Sequence, residues 1–180
     1  MLALAAGAYC TSANAQCGGV ERWAVKTLTD GARLDTVVRA SSIADESALD
    51  RPEDAWLHLT RQENESYELT ITGKLIKAGT EPDKDYHLVL SSAGQTIICE
   101  IPDPDCPDVD QTPNAVLWRA ARAKVDELVG RHVHGAIKDV ANPPTVTLTG
   151  FGFWDRPDHG TGHSVNGREI HPVMSVVASQ

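Results

Sequence analysis

Aromatic side chains make up only 5% of this 180-residue chain, and 16 Lys and Arg stand against 25 Asp and Glu. The resulting net charge of −9 counts against simple phosphate-backbone binding by a basic surface, which rests on Lys and Arg displacing counterions. A polyanionic partner would need a metal ion. With so few rings, a stacking platform for bases or sugars has to rest on Trp118, Phe151, Phe153 or Trp154. No C-x-x-C pair marks a zinc ligand set, no G-x-S-x-G elbow a serine nucleophile, and no G-x-x-x-x-G-K loop a nucleotide site. No apolar run reaches the roughly 20 residues that span a bilayer, so no membrane partner is expected.

What is present suggests export. MLALAAGAYCTSANA, residues 1–15, is apolar and uncharged, and Ala13 and Ala15 form an A-x-A cleavage pattern before Gln16. A basic segment ahead of the apolar run is missing, since no Lys or Arg precedes Glu21. The expected location is secreted or periplasmic, where thiols oxidise. There Cys99 and Cys106 are expected to close a small disulfide loop across EIPDPD. Cys10 leaves with the signal peptide, so Cys17 is free or paired between chains; with the signal retained, Cys10 and Cys17 are the competing pair.

A hydrophobic content of 41% fits one globular domain. Residues 16–66 read as an N-terminal arm and loop: an extended arm packs Trp23 and Val25, and Trp56, Leu57 and Leu59 offer a burial patch. Residues 67–180 carry the domain. YELTITGKLIKAG alternates as one long strand, with Gly73 marking a bulge or bend. YHLVL and TIICEI follow as a hairpin. Thr112 as N-cap, Pro113 at the first turn and Gly130 past the end frame a helix with an apolar stripe of Leu117, Ala121, Val125 and Leu128, flanked by Trp118. TVTLTGFGFW and IHPVMSVV return to strand alternation. Three strands, a helix and two strands is the order of an OB-fold, so the expected class is mainly β (α+β): an OB-fold-like five-stranded curled barrel with one helix between strands 3 and 4.

The pieces ERWAVKT, DKDYHLVL, TIICEIPDPDC and GFGFWDRPDHGTGHSVNGREIHPV resemble segments that occur in this order in a group of exported bacterial hypothetical proteins with an OB-like domain. The resemblance covers most of the chain beyond the signal. It implies an intact domain and no particular chemistry.

Three clusters can carry chemistry. In EPDKDYH, Asp85 and His87 fall on one face of a strand, beside Glu81 and Asp83 in a solvated loop. Glu100, Asp103 and Asp105 sit among prolines that limit backbone freedom. Between Trp154 and His171 one Gly-rich stretch holds Asp155, Asp158, His159, His163, Asn166, Glu169 and His171. Gly160 and Gly162 argue against a helical zinc motif there. The Asp, His, Asn, His order is similar to that of ββα-metal nucleases, but a β-like VMSVV stands where their motif has a helix. His171 reads as a strand histidine bonded to nearby backbone, and Asn166-Gly167 as a type I′ turn.

The three clusters are expected to converge at one rim of the barrel. Asp85, His87, Asp155 and His163 are the expected ligands of a divalent ion (Mg, Mn, Ca or Zn), His159 the general base and Glu100 a further catalytic group. Arg122, or Arg119, would clamp a phosphate. The expected function is an exported metal-dependent hydrolase, a phosphodiesterase or nuclease acting on nucleic acid or another phosphodiester. Its alternative is a non-catalytic OB-fold module that binds an oligosaccharide, nucleic acid or protein partner.

Overall fold

One long strand organises the chain. The computed structural model describes Cys17 and residues 22–179. The expected signal peptide and Cys10 fall outside the described residues. In order, the elements are α1 (Trp23–Lys26), β1 (Asp35–Ala40), α2 (Ile43–Ser47), β2 (Tyr67–Thr80), β3 (Tyr86–Ser92), β4 (Gln95–Ile101), α3 (Pro113–Val129), β5 (Lys138–Asp139), β6 (Thr145–Trp154) and β7 (Arg168–Ala178), with 3-10 turns at Ala55–Leu57 and Glu63–Glu65.

β2 pairs antiparallel with β6 from Glu68 to Lys74 and with β3 from Lys74 to Thr80. It therefore hands over from one neighbour to the other at Gly73-Lys74, where the sequence places its bend. β3 and β4 form a hairpin, β4 runs parallel to β7, and β7 pairs antiparallel with β6. The ring β2-β3-β4-β7-β6 closes into a five-stranded barrel, with α3 between its third and fourth strands in chain order. This is the expected OB-like architecture. β1 lies outside the ring, parallel to β2 and exposed along its length.

Alternation sends Leu69, Ile71, Leu75, Leu88, Leu90, Ile97 and Ile101 into one core. α3 caps it with Ala115, Trp118, Ala121 and Val125. Thr112 and Pro113 start this helix and Gly130 ends it as expected, but the buried stripe is rotated: Leu117 is 46% exposed while Trp118 is fully buried. Burying the larger side chain gains more, at about 1.5–3 kcal/mol for a full-sized apolar group.

The N-terminal segment departs from an extended arm. Trp23–Lys26 is a helical turn, and the strand comes later, at Asp35–Ala40. Val25 is buried as expected. Leu57 and Leu59 are exposed, because the 3-10 turn at Ala55–Leu57 buries Ala55 instead.

The disulfide is also corrected. Cys106 bonds to Cys17, with Cα atoms 5.4 Å apart, and Cys99 is a free, buried thiol. Cys99 lies inside β4, opposite Leu88, with its side chain in the barrel core. The proline-bearing loop after Ile101 leads Cys106 away from it and toward the N-terminal segment.

Candidate functional site on the outer face of the barrel

The alternation that fills the barrel also composes its outside. On β3, Tyr86, Leu88 and Leu90 join the core, which leaves His87 and Val89 facing outward; on β4, Ile97, Cys99 and Ile101 leave Ile98 and Glu100. His87 stands directly opposite Glu100. All four outward residues are nonetheless buried, because two segments cover this face.

The first cover is the loop from Asp155 to Gly167. Its glycines allow close approach: a Cβ on Gly160 would meet Ile98 Cδ1 at 2.9 Å and His87 Cε1 at 3.4 Å, and one on Gly162 would meet Val89 Cγ1 at 2.4 Å. The loop is pinned at its base. Asn166 donates its amide to Glu46 O and Leu49 O, Arg51 donates to Asn166 O, and Arg168 Nε donates to buried Glu46. Asn166 is thus an anchor to α2. The turn it belongs to is closed by Gly167 N–H donating to Ser164 O, with positive φ at Gly167 but not at Asn166, so it is not type I′.

The second cover is α1. Arg22 holds it down by donating to both Glu65 carboxylate oxygens, at 2.7 and 2.6 Å, and to the carbonyls of His58, Thr60 and Trp154. Arg61 adds a bond to Val25 O. α1 thereby places Lys26, 8% exposed, over the Phe153 ring at 5.4 Å.

Under these covers the charged groups meet. His87 Nε2 lies 2.8 Å from Thr161 O, and because a carbonyl only accepts, that nitrogen carries hydrogen. His87 Nδ1 faces two carboxylates, 2.9 Å from Glu81 Oε1 and 3.0 Å from Glu100 Oε1. The parallel pairing of Cys99 with Ile170 then sets His171 beside Glu100. His171 Nδ1 is 2.9 Å from Glu100 Oε2, and its Nε2 is 3.3 Å from Asp85 Oδ2. These are ion-pair distances, yet neither ring N–H points along the line to its oxygen, so neither qualifies as a hydrogen bond. Asp85 is oriented from behind by the Asp103 N–H, which donates to Oδ1 at 2.8 Å.

Burial and charge oppose each other here. Burial alone would lower His87, but the Glu100 and Glu81 carboxylates raise it to about 10. His171 is likewise raised against burial by Asp85 and Glu100. Burial would raise Glu100, yet its contacts with His171 and His87 hold it well below the usual carboxylate range. Glu169 goes the other way: burial first, then the charges of Glu100 and Asp155, push it well above that range. Burial also takes Asp83 up to about 6, helped by Asp85 and Glu100. Lys26 stays charged, because Glu100, Glu169, Asp85 and Asp155 outweigh the effect of burial.

Among the described residues, two groups of acidic and histidine side chains bring ligand atoms within 4.8 Å of one another and can hold a metal ion: Glu81, His87 and Glu100, and Asp85, Glu100 and His171. A third, Asp103 with Cys17 and Cys106, is closed by the disulfide. Of the expected ligands, Asp85 and His87 therefore fall in adjoining groups joined by Glu100. Asp155 and His163 fall in neither. Asp155 is buried and accepts from His159 Nδ1, while His163 Nδ1 donates to Gly160 O and its Nε2 lies 3.7 Å from Asp158. Arg122 donates to Lys84 O and Ile101 O over the Tyr86 ring, and Arg119 pairs with Asp105, so both tie loops to α3. The convergence lies on the outer face of β3, β4 and β7 rather than at the barrel rim.

Sequence reasoning underrated Glu81 and His171 and passed over Lys26. A buried Lys in the segment ERWAVKT has no sequence signal. His171 could have been found from the OB order itself, which sets the third and fifth barrel strands side by side.

Comparison with protein-family models finds no match. Comparison with curated proteins finds none either.

Proposed function

We propose that this chain is an exported metal-dependent hydrolase of phosphodiesters, nucleic acid among them, with a divalent ion held by Glu81, His87 and Glu100. The observation that carries the reading is the setting of His87. Its Nε2–H is fixed by the Thr161 carbonyl, and Nδ1 is turned toward two carboxylates; metal-ligating histidines are oriented in this way by a backbone acceptor on the far nitrogen. Glu81, with a quarter of its side chain exposed, is the open side of the group, where a substrate oxygen and water would reach the ion.

An ion there would polarise a phosphoryl oxygen and lower the pKa of bound water. It would also draw a polyanion to an acidic protein, since charge at the site outweighs net charge. His159 is the proposed general base. It lies in the loop that covers His87 and is partly exposed, and Asp155 holds its Nδ1 so that Nε2 is left for a proton. The donor set, two carboxylates and one imidazole, suits Mg, Mn, Ca or Zn. The signal-like residues 1–15 and the Cys17–Cys106 disulfide support a secreted or periplasmic location.

The second reading, a non-catalytic binding module, has one observation in its favour. A cavity of about 750 Å³ beside β1, lined by Arg33, Arg39, Asn64 and Tyr67 among others, shares no lining residue with the ion group. Turnover separates the two. Single-stranded DNA, RNA and a small chromogenic diester are assayed with each of the four ions and with EDTA. Ion-dependent cleavage that His87→Gln abolishes and His159→Ala reduces about 10²–10⁴-fold supports the hydrolase. No cleavage with any ion overturns it.

A further inference from the structure

Glu100 presents its two oxygens to two different histidines. Oε1 lies 3.0 Å from His87 Nδ1, and Oε2 lies 2.9 Å from His171 Nδ1. The His171 side of this carboxylate is closed from solvent, with no side-chain exposure at Asp85 or His171 and 7% at Glu100.

The polar atoms on that side are not satisfied by one another. Asp85 Oδ2 and both ring nitrogens of His171 are buried without a hydrogen-bond partner, although they stand within 3.3 Å of oppositely charged groups. Unpaired buried polar atoms are costly, and native structures rarely leave three of them in one place. A cation among them would be bound by Asp85 Oδ2 and by the one His171 nitrogen that carries a lone pair, because coordination needs lone pairs directed at a shared point and not N–H vectors directed at oxygens. One His171 nitrogen would take the ion, and the other would stay within 3.3 Å of a carboxylate oxygen, as the far nitrogen of a metal-bound histidine commonly does. Asp85 is already held in place through Oδ1 by the Asp103 N–H.

We propose that Asp85, Glu100 and His171 hold a second divalent cation, so that the Glu100 carboxylate bridges two ions on the outer face of the barrel. This deepens the hydrolase reading and rests on the first ion at Glu81, His87 and Glu100. Both positions offer one imidazole and two carboxylates, and they differ in access: the inner one is closed, as structural sites are, and the outer one is open at Glu81. The inner ion fixes Glu100 and holds β4 to β7, and the outer ion meets substrate.

The test is metal stoichiometry on the full-length chain, stripped with chelator and titrated with zinc and with manganese. The wild type binds two ions per chain, His171→Gln loses the inner one, and His87→Gln loses the outer one. Electron paramagnetic resonance of the manganese-loaded wild type gives a readout that does not depend on a variant folding: a bridged pair is spin-coupled. One ion, lost in His87→Gln and kept in His171→Gln, overturns this inference and leaves the hydrolase reading intact. One ion with the opposite pattern overturns both the bridge and the outer site. No bound ion overturns both readings, and a proton then holds His171 between its carboxylates.

Discussion

Gly162 rests against Val89, so closely that a Cβ on the glycine would stand 2.4 Å from the valine Cγ1, and its φ of +89° lies where L side chains rarely go. That contact seats the loop on the outer side of β3, with Thr161 O within reach of His87. Gly162→Ala should therefore destabilise the fold by about 2–4 kcal/mol through overpacking and backbone strain. Chemical denaturation measures the change. A variant as stable as wild type would mean that the loop is not seated on β3 as described.

Arg22 and Glu65 form a two-pronged ion pair with side chains 2% and 0% exposed. Glu65 also accepts from the N–H groups of Trp154 and Gln62, so one carboxylate serves four donors. Glu65→Ala leaves a buried guanidinium and two amides without their partner, and should cost about 3–5 kcal/mol. Hydrogen exchange should show the amides of Val25, Lys26 and Thr27 losing protection before those of the barrel. Equal protection in wild type and variant would contradict the anchoring of α1.

The disulfide joins residues 89 apart in sequence. Peptide mapping under non-reducing conditions should recover Cys17 linked to Cys106. Cys106→Ser should lower stability by about 2–5 kcal/mol, because the cross-link restricts a long loop of the unfolded chain. Cys99 is buried and its thiol is pushed well above the ordinary range by burial and by the nearby Glu169 and Glu100 charges, so a thiol reagent should label it only after unfolding. A recovered Cys99–Cys106 peptide would contradict the structure.

Much of this arrangement can be read along the chain, and the reasons for the rest are specific. Period-two alternation suffices for the strands and for placing Asp85 near His87, and the helix signals at Thr112, Pro113 and Gly130 are local. Spacing alone cannot say which of two overlapping stripes on α3 faces inward; Leu117 and Trp118 both fit a helical repeat, and the larger ring takes the core. The short linear distance between Cys99 and Cys106 misleads because β4 holds Cys99 inside the barrel. The site depends on contacts far apart in sequence. His171 meets Glu100 only through the parallel β4–β7 pairing, and Lys26 arrives on a helical turn pinned by Arg22. Asp155, His159 and His163 belong to the loop that covers those groups, but their side chains bond one another and the local backbone.

The most direct test of the account is the melting temperature of the stripped full-length chain with EDTA and with added magnesium, manganese, calcium or zinc. An ion at 100 times its dissociation constant stabilises by about 2.7 kcal/mol, which for a chain of this size raises the melting temperature by roughly 5–10 °C. At least one of the four ions should produce that rise in the wild type, and the rise should shrink or vanish in a folded Glu100→Gln variant, whose carboxamide takes the place of the carboxylate common to both ion groups. A wild-type melting temperature identical in EDTA and in all four ions would contradict a cation site on the outer face of the barrel.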